Sequence, residues 1–220
     1  MRVAAVVFDC DGVLVDSEET SCGATADLLA SLGFPMTHDE VKARFLGKPI
    51  DAVYAHYLEA TGRPLPKTFA DDKESLYIER ARGTLRPMPG ALEIVRALHG
   101  RVPIAVATSG GKRKVEFSLH ETKLAKYFDV VIATVDVARG KPFPDLFLAT
   151  AERLGVSPES CAVIEDSRPG IEAARAAGMY AIGLASSLPK HALLDAGAHD
   201  AIDTLDSLLR LDPLAHLASE

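Results

Sequence analysis

Residues 3–12 read VAAVVFDCDG, a short apolar run that ends in two aspartates. A continuous apolar run of this length is typical of a strand buried on both faces of a parallel sheet. Asp9 and Asp11 then fall at the carboxyl end of that strand, where open parallel sheets bind their ligands. Gly12 allows the chain to turn sharply directly after them. The stretch therefore predicts a site that carries two close carboxylates.

The spacing of these two acids also indicates a metal. Two close carboxylates repel each other unless a cation lies between them, so Asp9 and Asp11 indicate a hard divalent ion such as Mg²⁺, and Mn²⁺ would use the same oxygens. An EF-hand calcium loop that starts at Asp9 is excluded, because Val13 and Val15 stand where oxygen ligands are needed and Thr20 stands where glutamate is needed. A plain turn in which aspartate ends the strand stays open from this stretch alone.

The rest of the chain predicts an α/β fold with a Rossmann-like parallel sheet core and helices on both faces. Apolar runs at 103–108, 130–133, 161–165 and 180–184 alternate with helical patterns at 91–99, 145–154 and 170–177. Residues 17–83 break the alternation, because they contain helical patterns and no convincing strand. We therefore expect a catalytic core at residues 1–16 and 84–220 and an inserted α-helical cap domain at 17–83. The Pro-Met-Pro-Gly segment at 87–90 suits neither helix nor strand, as a linker should.

Two further segments offer groups that suit a phosphate. The run 103–108 leads into Thr108, Ser109 and Gly110, whose hydroxyl and backbone N–H groups could hold an oxyanion at a helix start. Lys141 lies between a glycine and a proline, so its ammonium is carried by a loop with little backbone freedom. Taken singly, the first segment is also a simple helix cap and the second a surface lysine.

A third segment, 161–165, ends in Glu165 and Asp166, which could complete an oxygen shell for Mg²⁺. Taken alone, these acids also suit the start of a helix. Because a parallel sheet brings the ends of its strands to one edge, all these groups are expected together. They then supply a nucleophile, an acid/base, a phosphate cradle, a cation and metal ligands, which is a complete set for phosphoryl transfer.

The chain resembles the haloacid dehalogenase superfamily, in the branch with a helical cap after the first strand. That branch includes β-phosphoglucomutase-like proteins and small sugar-phosphate phosphatases. The four family motifs are matched in order by FDCDGVLVDSE at 8–18, ATSG at 107–110, GKPFPD at 140–145 and VIEDSRPGIEAARAAGM at 163–179. Together they span most of the chain outside the proposed cap.

The resemblance implies a mechanism residue by residue. Asp9 is expected to attack phosphorus and form an aspartyl phosphate, with Asp11 as general acid and then general base. Lys141 would neutralise charge beside Asp9. The Mg²⁺ ligands would be Asp9, the backbone carbonyl of Asp11 and Asp166, with Glu165 as a further ligand or behind the ligands.

The resemblance also implies how the substrate is held. Thr108, with the backbone N–H groups of Ser109 and Gly110, would hold the phosphoryl oxygens. The cap would close over the site and choose the substrate. Its candidate substrate-binding residues are Glu18, Arg44 and Lys48.

We therefore predict a phosphoric monoester hydrolase that uses Mg²⁺ on a small phosphorylated metabolite, a sugar phosphate or sugar-acid phosphate. A β-phosphoglucomutase-type isomerase is disfavoured, because the family's mutases carry a histidine where this chain has Ser21 and cations where it has Leu46 and Ile50. A dehalogenase is disfavoured because those relatives lack the second aspartate, which is Asp11 here. A catalytically idle binding protein is disfavoured because no catalytic position is degraded.

Composition sets the remaining expectations. The net charge of -7 argues against a nucleic-acid partner. The three cysteines form no CxxC pair, which disfavours disulfides and zinc. The run before Asp9 is too short for a signal peptide or a membrane span. We expect a cytoplasmic protein with no membrane partner, as a monomer or small homo-oligomer.

Overall fold

The computed structural model describes residues 2–217. In chain order the strands are β1 (Ala5–Phe8), β2 (Val15–Asp16), β3 (Arg86–Pro87), β4 (Ile104–Thr108), β5 (Val130–Ala133), β6 (Cys161–Glu165), β7 (Tyr180–Leu184) and β8 (Asp200–Ile202). The helices are α1 (Glu18–Ser31), α2 (His38–Phe45), α3 (Asp51–Thr61), α4 (Phe69–Ala81), α5 (Ala91–Leu98), α6 (Lys112–Glu121), α7 (Asp145–Leu154), α8 (Arg168–Ala176) and α9 (Lys190–Asp195). Short 3₁₀ turns complete the path at Ala125–Tyr127, Thr134–Asp136, Pro158–Ser160, Leu205–Arg210 and Asp212–Leu217.

Six strands form one parallel sheet in the order β5-β4-β1-β6-β7-β8. β1 lies at its centre, with Phe8 paired to Val106 on one side and to Ile164 on the other. Because the strands are parallel and in register here, the residues that follow β1, β4 and β6 all emerge at the same edge. The predicted fold class is confirmed.

The sheet is buried on both faces, which explains its continuous apolar strands. Val6 and Phe8 lie in one hydrophobic cluster, whereas Ala5 and Val7 lie in another on the opposite face. The first cluster is completed by apolar residues of α5 and α6, and the second by those of α7 and α8. Alternate residues of one strand therefore serve two separate layers, as the period of two requires.

Helices α1 to α4 follow β1 and β2, and residues 18–81 contain no strand. Buried apolar residues of these helices form a third cluster that includes Leu29, Phe45 and Tyr57. Helix α4 contributes to two clusters: Phe69 belongs to the third, whereas Tyr77 packs with the first. The second half of α4 therefore packs against the first cluster, which covers one face of the sheet. The division of the chain into core and cap at residues 17 and 83 stays a prediction.

β2 and β3 form a two-stranded antiparallel sheet where the chain leaves and re-enters the main sheet region. Val15 pairs with Pro87, and the backbone N–H of Met88 donates to Leu14 O at 2.9 Å. The expectation that the Pro-Met-Pro-Gly segment avoids strand structure was wrong at Pro87. A proline is tolerated there because the strand is short and lies at an edge.

The predicted strands at 130–133, 161–165 and 180–184 have the observed bounds, and the other two begin one or two residues later than expected. Strand β8 was not predicted. No helix within residues 2–217 is long and apolar enough to cross a membrane.

Candidate active site

A cavity of about 580 Å³ lies where the carboxyl ends of β1, β4 and β6 face α1 and α4. Ten of the predicted site residues line it: Asp9, Asp11, Glu18, Lys48, Thr108, Ser109, Gly110, Lys141, Glu165 and Asp166. Residues from distant parts of the chain are thus brought to one place by the order of the strands.

Asp9, directly after the central strand, is 6% exposed and is held by a buried lysine. Lys141 Nζ lies 2.5 Å from Asp9 Oδ1 and also contacts Glu165 Oε1. Its third contact is with the backbone carbonyl of Ala107 at 3.2 Å. Burial raises the pKa of Asp9 to about 7, although Lys141 opposes this. Burial acts to lower the pKa of Lys141, but the charges of Asp9 and Glu165 outweigh it, so this pKa is raised. The lysine therefore stays charged and is fixed between two carboxyl groups.

Glu165 is fully buried and its carboxylate is already occupied. Its Oε2 accepts hydrogen bonds from the backbone N–H groups of Asp166 and Ser167, both at 3.0 Å, and from Ser167 Oγ at 2.8 Å. Its Oε1 accepts from Lys141. Of the two roles expected for Glu165, these contacts favour a position behind the metal ligands over that of a ligand. Successive strand residues point to opposite sides, so Glu165 turns to Lys141 and the start of α8 while Asp166 faces the cavity.

Gly170 on α8 makes room for this buried acid. A Cβ at that position would overlap the Glu165 carboxyl group. We expect Gly170→Ala to lower the free energy of unfolding by about 1–3 kcal/mol, although alanine favours a helix over glycine. Urea unfolding measures this, with Gly23→Ala on α1 as control, where the added methyl meets only the end of the Arg80 side chain. A Gly170→Ala variant as stable as wild type would contradict this packing.

Asp11 is held by a second lysine. Lys114 Nζ lies 2.7 Å from Asp11 Oδ1, and Ser17 Oγ donates to the same oxygen. Burial acts to raise the pKa of Asp11, but the charge and hydrogen bond of Lys114 and the hydroxyl of Ser17 outweigh it, so this pKa is lowered. Each of the two aspartates after β1 therefore forms an ion pair with a different lysine.

Asp166 faces the turn after β1. Gly12 has a φ of 75°, and a Cβ there would overlap the Asp166 carboxylate, so only glycine fits both the backbone and the space. Ser187 Oγ contacts both Asp166 Oδ2 and Glu18 Oε1, which joins the start of α1 to this acid. Burial, and then the neighbouring Glu165 and Asp9, raise the pKa of Asp166 well above its usual range.

The donors near Asp9 and Asp166 fit a hard divalent cation. Two buried carboxylates with raised pKa values gain from a positive charge beside them, and their oxygens are the ligands Mg²⁺ prefers. No three His, Cys, Asp or Glu side chains of residues 2–217 are grouped so that they could hold a metal by themselves. A metal here would therefore need backbone or water oxygens besides Asp9 and Asp166, because the side chains of Asp11 and Glu165 are engaged elsewhere.

The raised pKa of Asp9 predicts a pH dependence of stability for the metal-free protein. Between its ordinary value of 3.8 and about 7, the folded protein binds this proton more tightly than the unfolded chain. The Asp9 contribution to the free energy of unfolding should therefore decrease as pH rises through this window, by an amount on the order of a few kcal/mol.

Urea unfolding in chelator, for wild type and Asp9→Asn, isolates this contribution because asparagine does not titrate. We expect wild type to lose stability relative to the variant from pH 4 to pH 7, and Mg²⁺ to stabilise wild type more at pH 8 than at pH 5. A difference that is constant or grows with pH would contradict the raised pKa.

The segment after β4 offers donors to the same cavity. Thr108 is 1% exposed, and its Oγ1 accepts from the backbone N–H of Gly110 at 3.0 Å. A Cβ on Gly110 would lie 3.6 Å from Asp11 Oδ2 and 3.8 Å from Lys114 Cδ. Gly110 thus lies beside Asp11, the candidate general acid and base.

The three candidate cap residues have different positions. Glu18 lines the cavity and contacts Ser187, and Lys42 Nζ lies 3.5 Å from its other oxygen. Lys48 lines the cavity with an exposed side chain. Arg44 is exposed and does not contribute to the cavity lining, so its expected contact with substrate is not supported.

Several groups around the site were not singled out from the sequence. They are Ser17, Lys73, Glu74, Lys114 and Ser187. Lys114 could have been predicted from the sequence, because it lies in the first turn of the helix after β4. Such turns face the edge of the sheet where ligands bind. Lys73 could not have been predicted, because its position depends on how α4 packs.

Comparisons with known proteins identify the family of this chain. The family model for haloacid dehalogenase-like hydrolases matches residues 6–184. The fructose-1-phosphate phosphatase YqaB of Escherichia coli K12 is 35% identical over 182 residues, which cover 82% of this chain and 96% of that protein. A phosphorylated carbohydrates phosphatase of Thermotoga maritima is 38% identical over 202 residues, covering 88% and 91%.

Among solved structures, a putative β-phosphoglucomutase from Thermotoga maritima superposes with a TM-score of 0.74 at 34% identity, covering 96% of this chain and 97% of that one. This chain belongs to the haloacid dehalogenase-like hydrolase family. The family predicted from the motifs is thereby confirmed.

Proposed function

We propose that this protein is a Mg²⁺-dependent phosphatase that hydrolyses a small phosphorylated metabolite, a sugar phosphate or sugar-acid phosphate, through an aspartyl phosphate on Asp9. The observation that carries the proposal is the contact of Lys141 Nζ with Asp9 Oδ1 at 2.5 Å, inside a cavity that also contains Asp11, Thr108 and Asp166. Two relatives that share most of their length with this chain are named phosphatases of phosphorylated sugars, which supports the reaction class.

In the first step the Asp9 carboxylate attacks phosphorus, and the bond from phosphorus to the leaving oxygen breaks. Lys141 offsets charge beside Asp9, while the Thr108 hydroxyl and the backbone N–H of Ser109 would donate to the phosphoryl oxygens. The N–H of Gly110 already donates to Thr108 Oγ1.

For this step Asp11 first takes up a proton from solvent, because the negative charge of the bound phosphate favours its neutral form and opposes the effect of Lys114. It then protonates the leaving oxygen, which departs as an alcohol. These groups act by electrostatic preorganisation, since Asp9, Thr108 and Lys141 are almost fully buried.

In the second step Asp11 takes a proton from a water molecule, whose oxygen attacks the same phosphorus. The bond between Asp9 and phosphorus breaks, so inorganic phosphate is released and the carboxylate is restored. Asp11 is suited to both steps because Lys114 and Ser17 orient its carboxylate.

Mg²⁺ would be held by the carboxylates of Asp9 and Asp166 and by the backbone carbonyl of Asp11. When bound, it would neutralise negative charge on the transferring phosphoryl group. Glu165 orients Lys141 and the start of α8 from behind these groups. Ser187 holds Asp166 from the other side.

The isomerase alternative receives less support. Ser21, Leu46 and Ile50 all line the cavity, so the histidine and the two cations expected of a β-phosphoglucomutase are replaced by residues that cannot do the same chemistry. One structural relative carries the name putative β-phosphoglucomutase, which keeps an isomerisation assay worthwhile.

The test is phosphate release from a panel of sugar phosphates, sugar-acid phosphates and an aryl phosphate, with Mg²⁺ and with chelator. The proposal expects release from at least one substrate, lost in chelator and restored by Mg²⁺. Release from none of them by folded protein, with conversion of β-glucose 1-phosphate to glucose 6-phosphate, would contradict the phosphatase and favour the isomerase.

A further inference from the structure

We propose that the leaving part of the substrate carries an apolar group attached to its sugar, and that an apolar wall of the cavity binds that group. The wall consists of Val41, Phe45, Leu46, Ile50 and Val53. This inference rests on the proposed phosphatase function and narrows the class of substrate. It differs from the sequence-based expectation, which assigned the choice of substrate to charged residues of the cap.

The wall comes from α2, from the loop that follows it and from α3. Val41 and Phe45 lie one turn apart on α2, Leu46 and Ile50 lie in the loop, and Val53 lies in the first turn of α3. Val41, Phe45 and Val53 are buried in the cluster that these helices share, whereas Leu46 and Ile50 are half-buried and pack against it. Leu46 and Ile50 are thus the more accessible members of the wall.

The loop between α2 and α3 lies against the carboxyl edge of the sheet. A Cβ on Gly47 would lie 3.5 Å from the Cβ of Ser167, which directly follows Asp166. The wall and Asp9 line one cavity of about 580 Å³, a size that is ordinary for a small-molecule site. Whatever is attached to a phosphoryl group at Asp9 therefore extends into the space that this wall bounds.

The wall offers few hydrogen-bond partners to a sugar hydroxyl. Among residues 41–53, all of which the structure describes, only Lys48 lines the cavity with a polar side chain, and Pro49 has no N–H. On neighbouring α1 the Thr25 hydroxyl already donates to Ser21 O at 3.0 Å. A sugar hydroxyl placed against the wall would lose its water without a replacement, which weakens binding, whereas an apolar group gains by leaving water.

The test compares matched substrates that differ in one ring. Phenyl β-glucoside 6-phosphate is compared with methyl β-glucoside 6-phosphate, and adenosine 5′-phosphate with ribose 5-phosphate. Within each pair the leaving oxygen is the same primary oxygen of the sugar, so the intrinsic reactivity is matched. p-Nitrophenyl phosphate reports phosphatase activity without a sugar.

The proteins are wild type, Leu46→Gln, Ile50→Thr and, as control, Leu28→Gln. Because Leu46 and Ile50 are half-buried, these polar replacements should keep the fold, and circular dichroism checks it. Leu28 is also half-buried and packs against the same hydrophobic cluster, but it lies outside the cavity. The control therefore places the same polar side chain in the same cluster without changing the wall.

We expect wild type to prefer the ring-bearing member of at least one pair by about fivefold or more in kcat/KM. That ratio should fall at least about threefold in Leu46→Gln and in Ile50→Thr and persist in Leu28→Gln. The loss should come from weaker turnover of the ring-bearing member, while the other member of the pair changes little. Ile50→Thr keeps a branched side chain, so it carries the test if Leu46→Gln does not fold.

A smaller wild-type ratio in both pairs, or no release from either ring-bearing member, would overturn the role of the wall while leaving the phosphatase intact. A ratio that is unchanged in both wall variants would overturn it as well. If wild type releases no phosphate even from p-nitrophenyl phosphate with Mg²⁺, the proposed function has failed and this inference with it. The two failures are therefore distinguishable.

Discussion

Asp9→Asn is expected to lower kcat for phosphate release by at least about 10⁴-fold, because the amide cannot act as the nucleophile and no second carboxylate replaces it. The asparagine has nearly the same shape and can still accept a hydrogen bond from Lys141, so the fold should be retained. Steady-state phosphate release with Mg²⁺ measures the effect, and circular dichroism checks the fold.

The matched control is Asp203→Asn. Asp203 also pairs with a lysine, Lys190, at 2.5 Å, but its side chain is 73% exposed and lies outside the cavity. Activity within about twofold of wild type is expected there. A folded Asp9→Asn protein with more than a tenth of wild-type activity would exclude Asp9 as the nucleophile.

Lys141→Met should reduce both activity and stability. The substitution removes the cation between two buried carboxyl groups and leaves Asp9 and Glu165 without their counter-charge. We expect kcat/KM to fall by about 10²–10³-fold and the free energy of unfolding by about 3–5 kcal/mol near neutral pH. The loss of stability should be larger at pH 8 than at pH 5, because the unpaired acids can take up protons at the lower pH.

Lys190→Met serves as the comparison. The side chain of Lys190 is 41% exposed and forms a surface ion pair with Asp203. Its effect should stay below about 1 kcal/mol. A Lys141→Met protein as stable as wild type at pH 8 would mean that the buried lysine does not balance these acids.

Local pattern was sufficient to predict most of the sheet. The runs at β5 and β7 have no charged residue, and β6 is apolar up to Glu165 at its end. Such runs are expected where both faces of a strand are covered. β8, in contrast, has three residues, of which only Ile202 is buried, so no run marks it. Its place at the edge of the sheet is decided by pairing with β7.

The groups at the end of each strand were predictable for the same reason. Asp9, Thr108 and Asp166 directly follow or end β1, β4 and β6, so the topology alone gathers them. The environment of Glu165 was not predictable, because the sequence does not show that Gly170 and the start of α8 leave a buried space for its carboxylate.

The contribution of α4 to the cavity could not be predicted from the sequence either. Lys73 and Tyr77 are one turn apart, which places them on one face of a helix, but that spacing is equally common on a solvated surface. Only the packing of Tyr77 into the cluster under α6 turns this face to the cavity and brings Lys73 near Lys114.

The central claim is a covalent phosphoryl group on Asp9, and Asp11→Ala with p-nitrophenyl phosphate tests it most directly. Nitrophenolate leaves without a proton, so phosphoryl transfer can proceed in this variant, whereas hydrolysis of the intermediate lacks its base. Rapid acid quench followed by mass spectrometry of the peptides should find one phosphoryl group per chain on Asp9, absent when Asp9 is also replaced by asparagine. Nitrophenolate release without any phosphorylated peptide, or a phosphoryl group on another residue, would contradict the mechanism.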